Sequence, residues 1–156
     1  MRAGVLTVSD GVTAGTREDT SGARAAELMA GLGFDVVVAS VPDEIEAIQN
    51  AVRGWVAAGV EVVVTTGGTG VSPRDVTPEA IAPLLDRLLP GLSEAARTGS
   101  KHPMAMLSRG VAGVAGGTVV VCLPGSPAGV DEWLGVIGGV LTHAVELLRS
   151  IPSPHS

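Results

Sequence analysis

Val62-Val63-Val64-Thr65-Thr66-Gly67-Gly68-Thr69-Gly70-Val71-Ser72-Pro73-Arg74-Asp75-Val76-Thr77-Pro78-Glu79-Ala80 reads as strand, loop and helix, in that order. The β-branched apolar run suits a buried strand, and the glycines that follow it end that strand. Thr77-Pro78-Glu79 has the pattern of a cap, a first helical residue and a first-turn acid. A strand feeding a glycine loop and then a helix is the unit of a parallel sheet, whose ligands bind at the carboxyl ends of the strands. Gly67, Gly68 and Gly70 carry no side chains to block backbone N–H groups, and the helix start beyond them favours an anion. The loop therefore predicts a phosphate site.

Arg74 and Asp75 sit in the same loop. A carboxylate beside a bound phosphate repels it unless a cation lies between them, and Mg²⁺ commonly bridges one or two carboxylates to substrate phosphates. The competing reading of Asp75 is a turn residue bonded to its own backbone. The glycine spacing matches neither G-x-G-x-x-G nor G-x-x-x-x-G-K-[ST], so the usual dinucleotide and P-loop readings fail here.

The flanking chain repeats the alternation. Gly4 to Val8 reads as a strand ended by Ser9-Asp10-Gly11, and a polar loop to Thr20 leads into a helix from Ser21 that Gly33 stops. Phe34 to Val41 reads as a strand, and Pro42-Asp43-Glu44 turns it into a helix with Ile45, Ile48, Val52, Trp55 and Val56 on one face. Asp43 and Glu46 form a capping-box-like pair, which explains an aspartate there without chemistry. From Thr77 to Leu89 the pattern suggests a short helix and irregular chain, then a turn at Leu88 to Gly91 and a helix over Ser93 to Thr98. His102, ahead of Pro103, reads as extended or turn, with no second ligand at metal spacing. Arg109 suits a phosphate or carboxylate contact, or else a surface ion pair.

Thr118 to Leu123 is the last strand, and Pro124-Gly125-Ser126-Pro127 repeats the logic of the central loop, with Ser126 capping a helix that runs to about Arg149. That helix has one apolar stripe of Val130, Trp133, Ile137, Leu141, Ala144 and Leu148 and a second of Val136, Val140 and Leu147. The arc is too wide for one buried face, so either a subunit interface or a fully covered core helix is expected. Together the elements predict an α/β fold, a mostly parallel sheet with helices on both faces. Residues 1–150 are expected to form a single domain, with 151–156 a flexible tail.

Composition narrows the function. The 156 residues suit one core, and a formal charge of −6 with Lys101 as the only lysine excludes a basic nucleic-acid footprint. The 22 glycines are about twice the average share, and the scarcity of aromatics argues against stacking on Trp or Phe. Cys122 is the single cysteine, in an apolar run, and reads as a buried inert thiol. Neither a secretory signal nor a spanning segment is visible, so the expected compartment is the cytoplasm, without membrane contact.

Thr65-Thr66-Gly67-Gly68-Thr69-Gly70 followed by Arg74-Asp75-Val76-Thr77-Pro78-Glu79-Ala80 resembles the signature of the molybdopterin-binding family of molybdenum-cofactor biosynthesis proteins. Ser9-Asp10 with Asp19-Thr20-Ser21-Gly22, Ser108-Arg109-Gly110 and Leu123-Pro124-Gly125-Ser126 resemble three further family segments, so the likeness spans about Gly4 to Leu148. It implies a three-layer α/β/α sandwich, usually assembled as trimers or hexamers. It also implies adenylylation of molybdopterin with Mg-ATP and release of pyrophosphate, the product passing to a molybdate-inserting enzyme downstream. By resemblance Asp43 and Asp75 are the catalytic carboxylates that orient Mg²⁺. Ser9, Asp10, Thr66, Gly67, Gly68, Thr69, Gly70, Ser108, Arg109, Pro124, Gly125 and Ser126 then contact ATP or molybdopterin. Three other readings stand beside this one: a molybdopterin-binding protein without catalysis, the molybdate-inserting enzyme itself, whose companion domains 156 residues do not accommodate, and a generic phosphate-binding α/β domain.

Overall fold

A computed structural model describes residues 1–150, and the tail expected at 151–156 lies outside them. Six strands form one sheet in the order β2-β1-β3-β6-β5-β4. These are β1 (Arg2–Val8), β2 (Asp35–Val41), β3 (Val62–Thr66), β4 (Arg87–Leu88), β5 (Ala112–Ala115) and β6 (Thr118–Leu123). β2, β1, β3 and β6 are parallel, while β5 runs antiparallel to β6 and to β4.

Alternate residues of the central strands face opposite layers, and both faces are apolar because both are covered. Val5, Val62, Val64, Val119 and Val121 pack under α2 (Thr20–Gly31), α5 (Pro90–Gly99) and α6 (Pro127–Arg149). Leu6, Val8, Val63, Val120 and Cys122 pack under α3 (Ile45–Ala57) and α4 (Thr77–Ile81). The result is the three-layer sandwich with a mainly parallel sheet. Each fully buried Val or Leu stabilises it by about 1.5–3 kcal/mol. Burial pushes the Cys122 thiol up, in keeping with an inert group.

Several local expectations are corrected. The loop after β1 contains α1 (Asp10–Thr13), capped by the Ser9 hydroxyl on Val12 N–H. Asp19 caps α2 by accepting from Gly22 N–H. Asp43 does not cap α3: Glu44 occupies the cap without a side-chain bond. Thr77 lies inside α4 rather than capping it, and its hydroxyl donates to Gly67 O at 2.9 Å. Leu88 belongs to β4, and α5 begins at Pro90, three residues before Ser93.

α6 resolves the wide-arc question within one chain. Val130, Trp133, Ile137 and Leu141 are buried, whereas Val136, Val140 and Leu147 are 43%, 51% and 57% exposed, so the second stripe is not covered by the chain's own core. Among the described residues no helix is long and apolar enough to cross a membrane.

Candidate active site

The strand order reverses direction at β1. The chain moves outward from β1 to β2, then crosses back to β3 on the other side. In open α/β sheets this switch point opens a crevice beyond the carboxyl ends of the strands. The register puts Thr7 beside Thr66 and Thr66 beside Leu123, so the loops after β1, β3 and β6 leave from one edge. Gly67 to Asp75 and Gly125-Ser126 therefore share that edge, as the sequence predicts.

Gly67 lies where these strand ends touch. Its φ is +100°, and a Cβ there would collide with the Val8 carbonyl oxygen, while a Cβ on Gly125 would be 3.2 Å from the Gly67 Cα. Only glycine at 67 meets both the positive φ and the close approach. Gly68 has a φ of +68°, and its carbonyl accepts from Thr77 N–H at 3.0 Å. Thr66 Oγ1 donates to Pro124 O at 2.7 Å, tying the ends of β3 and β6 together.

Of the loop amides, Gly67 N–H is engaged with Leu123 O at 3.4 Å. Among the described residues, the N–H groups of Gly68, Thr69 and Gly70 donate to no protein acceptor. The run of uncommitted amides in this cradle-shaped loop thus begins at Gly68 rather than at Gly67.

The two aspartates flank this cradle. A Cβ on Gly68 would be 3.3 Å from Asp43 Oδ1, and one on Gly70 would be 2.8 Å from Asp75 Oδ2. Asp43 Oδ2 accepts from Asp10 N–H at 2.9 Å, and Asp10 Oδ1 accepts from Asp43 N–H at 3.0 Å. This reciprocal pair locks the ends of β1 and β2. Asp75 Oδ2 accepts from Ser72 N–H at 2.9 Å, so the turn reading of Asp75 also holds. Each aspartate keeps its Oδ1 clear of protein donors among the described residues.

Two arginines are already committed. Arg74 Nε and Nη2 lie 3.1 and 2.6 Å from Asp10 Oδ2. That guanidinium, with the Asp43 N–H, holds the Asp10 carboxyl below its ordinary range. Arg109 donates to Gly70 O at 2.8 Å and Asp75 O at 2.9 Å and pairs with Glu79. Its pair with Glu79 is half-exposed, which is the surface ion pair that the sequence offered as the alternative, and its larger role is to brace the glycine loop.

The crevice has two lobes that share Gly68, Asp75 and Gly125. The larger, about 440 Å³, runs between the glycine loop and α6 and is walled by Met104, Leu107, Ser108, Pro124, Ser126, Glu132 and Trp133. The smaller, about 200 Å³, is polar and lies between β1 and the start of α2, with Ser9, Arg17, Asp19, Ser21, Asp43 and Thr66 on its walls. Asp10, Arg74 and Arg109 line neither lobe.

Of the larger lobe's wall, Ser108, Pro124 and Ser126 are site candidates in the sequence, whereas Met104, Leu107, Glu132 and Trp133 are not. Glu132 accepts from Ser100 Oγ and, at 3.1 Å, from Lys101 N–H, and these contacts hold its carboxyl below the usual range. Arg97 donates to Ser108 O and Gly110 O at 3.3 and 3.0 Å and lies 6.0 Å from the centre of the Trp133 ring. The segment Ser100 to Ser108, including the turn Pro103–Leu107, is thereby pinned at both ends. The available signal was helical spacing: Ser126, Gly129 and Trp133, at i, i+3 and i+7, share one face.

Residues 4–143 match the family model described as a probable molybdopterin binding domain. A bifunctional molybdenum cofactor biosynthesis protein of Chlorobaculum tepidum is 42% identical over 151 residues; the match covers 95% of this chain, which spans about half (48%) of that relative's length. A molybdopterin adenylyltransferase of Pyrococcus furiosus is 38% identical over 94% of this chain and 90% of its own. The crystal structure of the molybdopterin biosynthesis enzyme MoaB from Thermus thermophilus superposes with a TM-score of 0.90 at 47% identity, covering 97% of this chain and 98% of that one.

Proposed function

The chain belongs to the molybdopterin-binding domain family and has its general role in molybdenum-cofactor biosynthesis, and from that premise we propose that it is a molybdopterin adenylyltransferase. It joins AMP from Mg-ATP to the terminal phosphate of molybdopterin. The observation that carries this reading is the pairing of Asp43 and Asp75 across a cradle of uncommitted amides, at the junction of an apolar lobe and a polar one.

The donor set fits Mg²⁺. Two carboxylates each keep an oxygen clear, and no cluster of three or more ligating side chains exists among the described residues. Such a pair suits an ion that keeps its waters and takes substrate phosphates as its remaining ligands. When bound, that ion screens the two polyanions from each other. Asp43 and Asp75 would be the residues that hold it.

The rest is positioning. The larger lobe takes the pterin, with Ser108, Pro124, Gly125 and Ser126 along its wall, and the N–H groups of Gly68, Thr69 and Gly70 receive phosphate oxygen where the lobes meet. Ser9 and Thr66 face the nucleotide side, while Asp10 holds Asp43 in place. An oxygen of the molybdopterin phosphate attacks the α-phosphorus; the α–β bridging P–O bond breaks and its electron pair leaves with pyrophosphate. The nucleophile is already ionised at neutral pH, so the site needs alignment rather than a strong base.

The adenylated product is the substrate of a molybdate-inserting enzyme in the same cytoplasm. The uncovered stripe Val136, Val140 and Leu147 supports assembly into a trimer or hexamer. A binding protein without catalysis would use the larger lobe and leave the clear carboxylate oxygens idle.

Purified protein given molybdopterin, ATP and Mg²⁺ is expected to yield adenylated pterin and pyrophosphate. Asp75→Asn and Asp43→Asn should each keep pterin binding and lose about a hundredfold in turnover, near 3 kcal/mol of transition-state stabilisation. Tight pterin binding by the parent with no pyrophosphate formed would leave the binding protein as the correct reading.

A further inference from the structure

Among the described residues that line either lobe, Arg17 is the only Lys or Arg, and the reaction above gives it no task. Its position is fixed from below. Thr16 N–H and Arg17 N–H both donate to Gly11 O, at 2.9 and 3.1 Å, which doubles the chain back onto α1. The side-chain stem lies across Gly11, where an added Cβ would be 3.1 Å from Arg17 Cβ and 3.6 Å from its Cδ. Arg17 is exposed and lines the smaller lobe. Among the described residues its guanidinium has no hydrogen-bond or ion-pair partner, unlike Arg74, held by Asp10, and Arg109, held by the loop.

The charge around it matters. The lobe is also lined by Glu18, Asp19, Asp43 and Asp75. Asp19 is committed to Thr7 Oγ1 and Gly22 N–H, at 2.7 and 2.9 Å. An anion entering here meets these carboxylates and, among the described lining residues, one cationic side chain. The volume of about 200 Å³ is below that of a pocket for a whole drug-sized ligand, so the lobe takes a fragment of the nucleotide.

We infer that Arg17 binds the β- and γ-phosphates of ATP and stabilises the pyrophosphate as it leaves. The inference rests on the adenylyltransferase reading. As the α–β bridging P–O bond breaks, its electron pair stays on the pyrophosphate oxygen, so negative charge grows on the group beside Arg17. A guanidinium is always protonated and meets a phosphate through two parallel N–H bonds, which a lysine cannot reproduce.

The test uses inorganic pyrophosphate with Mg²⁺ as the probe, titrated calorimetrically into the parent, Arg17→Gln and Arg53→Gln. Arg53 lines neither lobe and supplies the same change in net charge. Arg17→Gln should weaken pyrophosphate binding by about tenfold or more, and Arg53→Gln by less than about twofold. Gly11→Ala, which keeps the guanidinium but displaces its stem, should weaken binding in the same direction by a smaller factor. In turnover, Arg17→Gln should lower kcat/KM for ATP about tenfold while KM for molybdopterin stays unchanged. Equal losses in Arg17→Gln and Arg53→Gln, or none in Arg17→Gln, overturn the assignment even if the parent adenylates molybdopterin. A parent that binds pyrophosphate through Arg17 yet forms no adenylated product overturns the reaction and leaves Arg17 as a pyrophosphate ligand.

Discussion

The two lobes meet at Gly68, Asp75 and Gly125 but are built by opposite means. The larger is walled by side chains that arrive late in the chain, from the end of α5 to the first turns of α6, and it is mostly apolar. The smaller is made largely by strand ends and helix starts of the first 75 residues, and it is polar. The fold thus places a more apolar environment and a polar one on the two sides of a single loop. The loop itself supplies backbone and one carboxylate, that of Asp75, while Asp43 comes from the turn after β2.

The largest disturbance should come from the shared element. Gly67→Ala imposes a side chain at φ +100° against the Val8 carbonyl. We expect a loss of about 3 kcal/mol or more of stability and of binding to both lobes, read by urea denaturation and by titration with each substrate. A variant that lost only one affinity would break the view that the lobes have a common floor.

Glu132→Gln should separate them. Glutamine has one acceptor oxygen where Glu132 uses two, so one anchor of the Ser100 to Ser108 wall is lost. Molybdopterin affinity should fall about tenfold with Mg-ATP affinity unchanged, measured by titration with each ligand alone.

Asp10→Asn probes the other side more gently. The Asp10 pKa is depressed by Arg74, so the pair stabilises the folded state above the ordinary value of 3.8, and the contribution disappears as pH falls through the lowered value. The parent's urea midpoint should therefore drop more steeply than the variant's below pH 3.8. High salt should shrink the difference, since the pair is exposed.

Val136→Glu is expected to change the lobes least. The substitution puts a charge on the uncovered stripe of α6, so sedimentation should shift towards a monomer, while both ligand affinities stay within about twofold. A large loss of pterin affinity on dissociation would mean that a neighbouring copy completes the larger lobe.

The sequence made the polar side easier to read than the apolar one. The β-branched strands and their glycine exits marked β1, β3, β6 and the crevice edge, because burial on both faces and positive φ each restrict residue choice strongly. β5 escaped notice: Ala112-Gly113-Val114-Ala115 has one β-branched residue and is a strand through its pairing with β6 and β4. α1 is four residues long, too short for periodicity to appear. Asp43 resembled a cap because Glu46 follows at the right spacing, yet its carboxylate turns to Asp10, 33 positions earlier. Glu132 looked like any charge on a helix surface. Only the fold brings Ser100 and Lys101 to it.

The brace formed by Arg109 also concerns the order in which the chain is made. β3 and its glycine loop leave the ribosome early, but Gly70 O and Asp75 O obtain their partner only with residue 109, and Gly67 N–H its acceptor only with Leu123. β3 likewise gains its second neighbour only when β6 arrives. A nascent chain that ends before these residues carries the glycines without the contacts that shape the loop. The glycine loop, read first in the sequence, is among the last parts of the molecule to be completed.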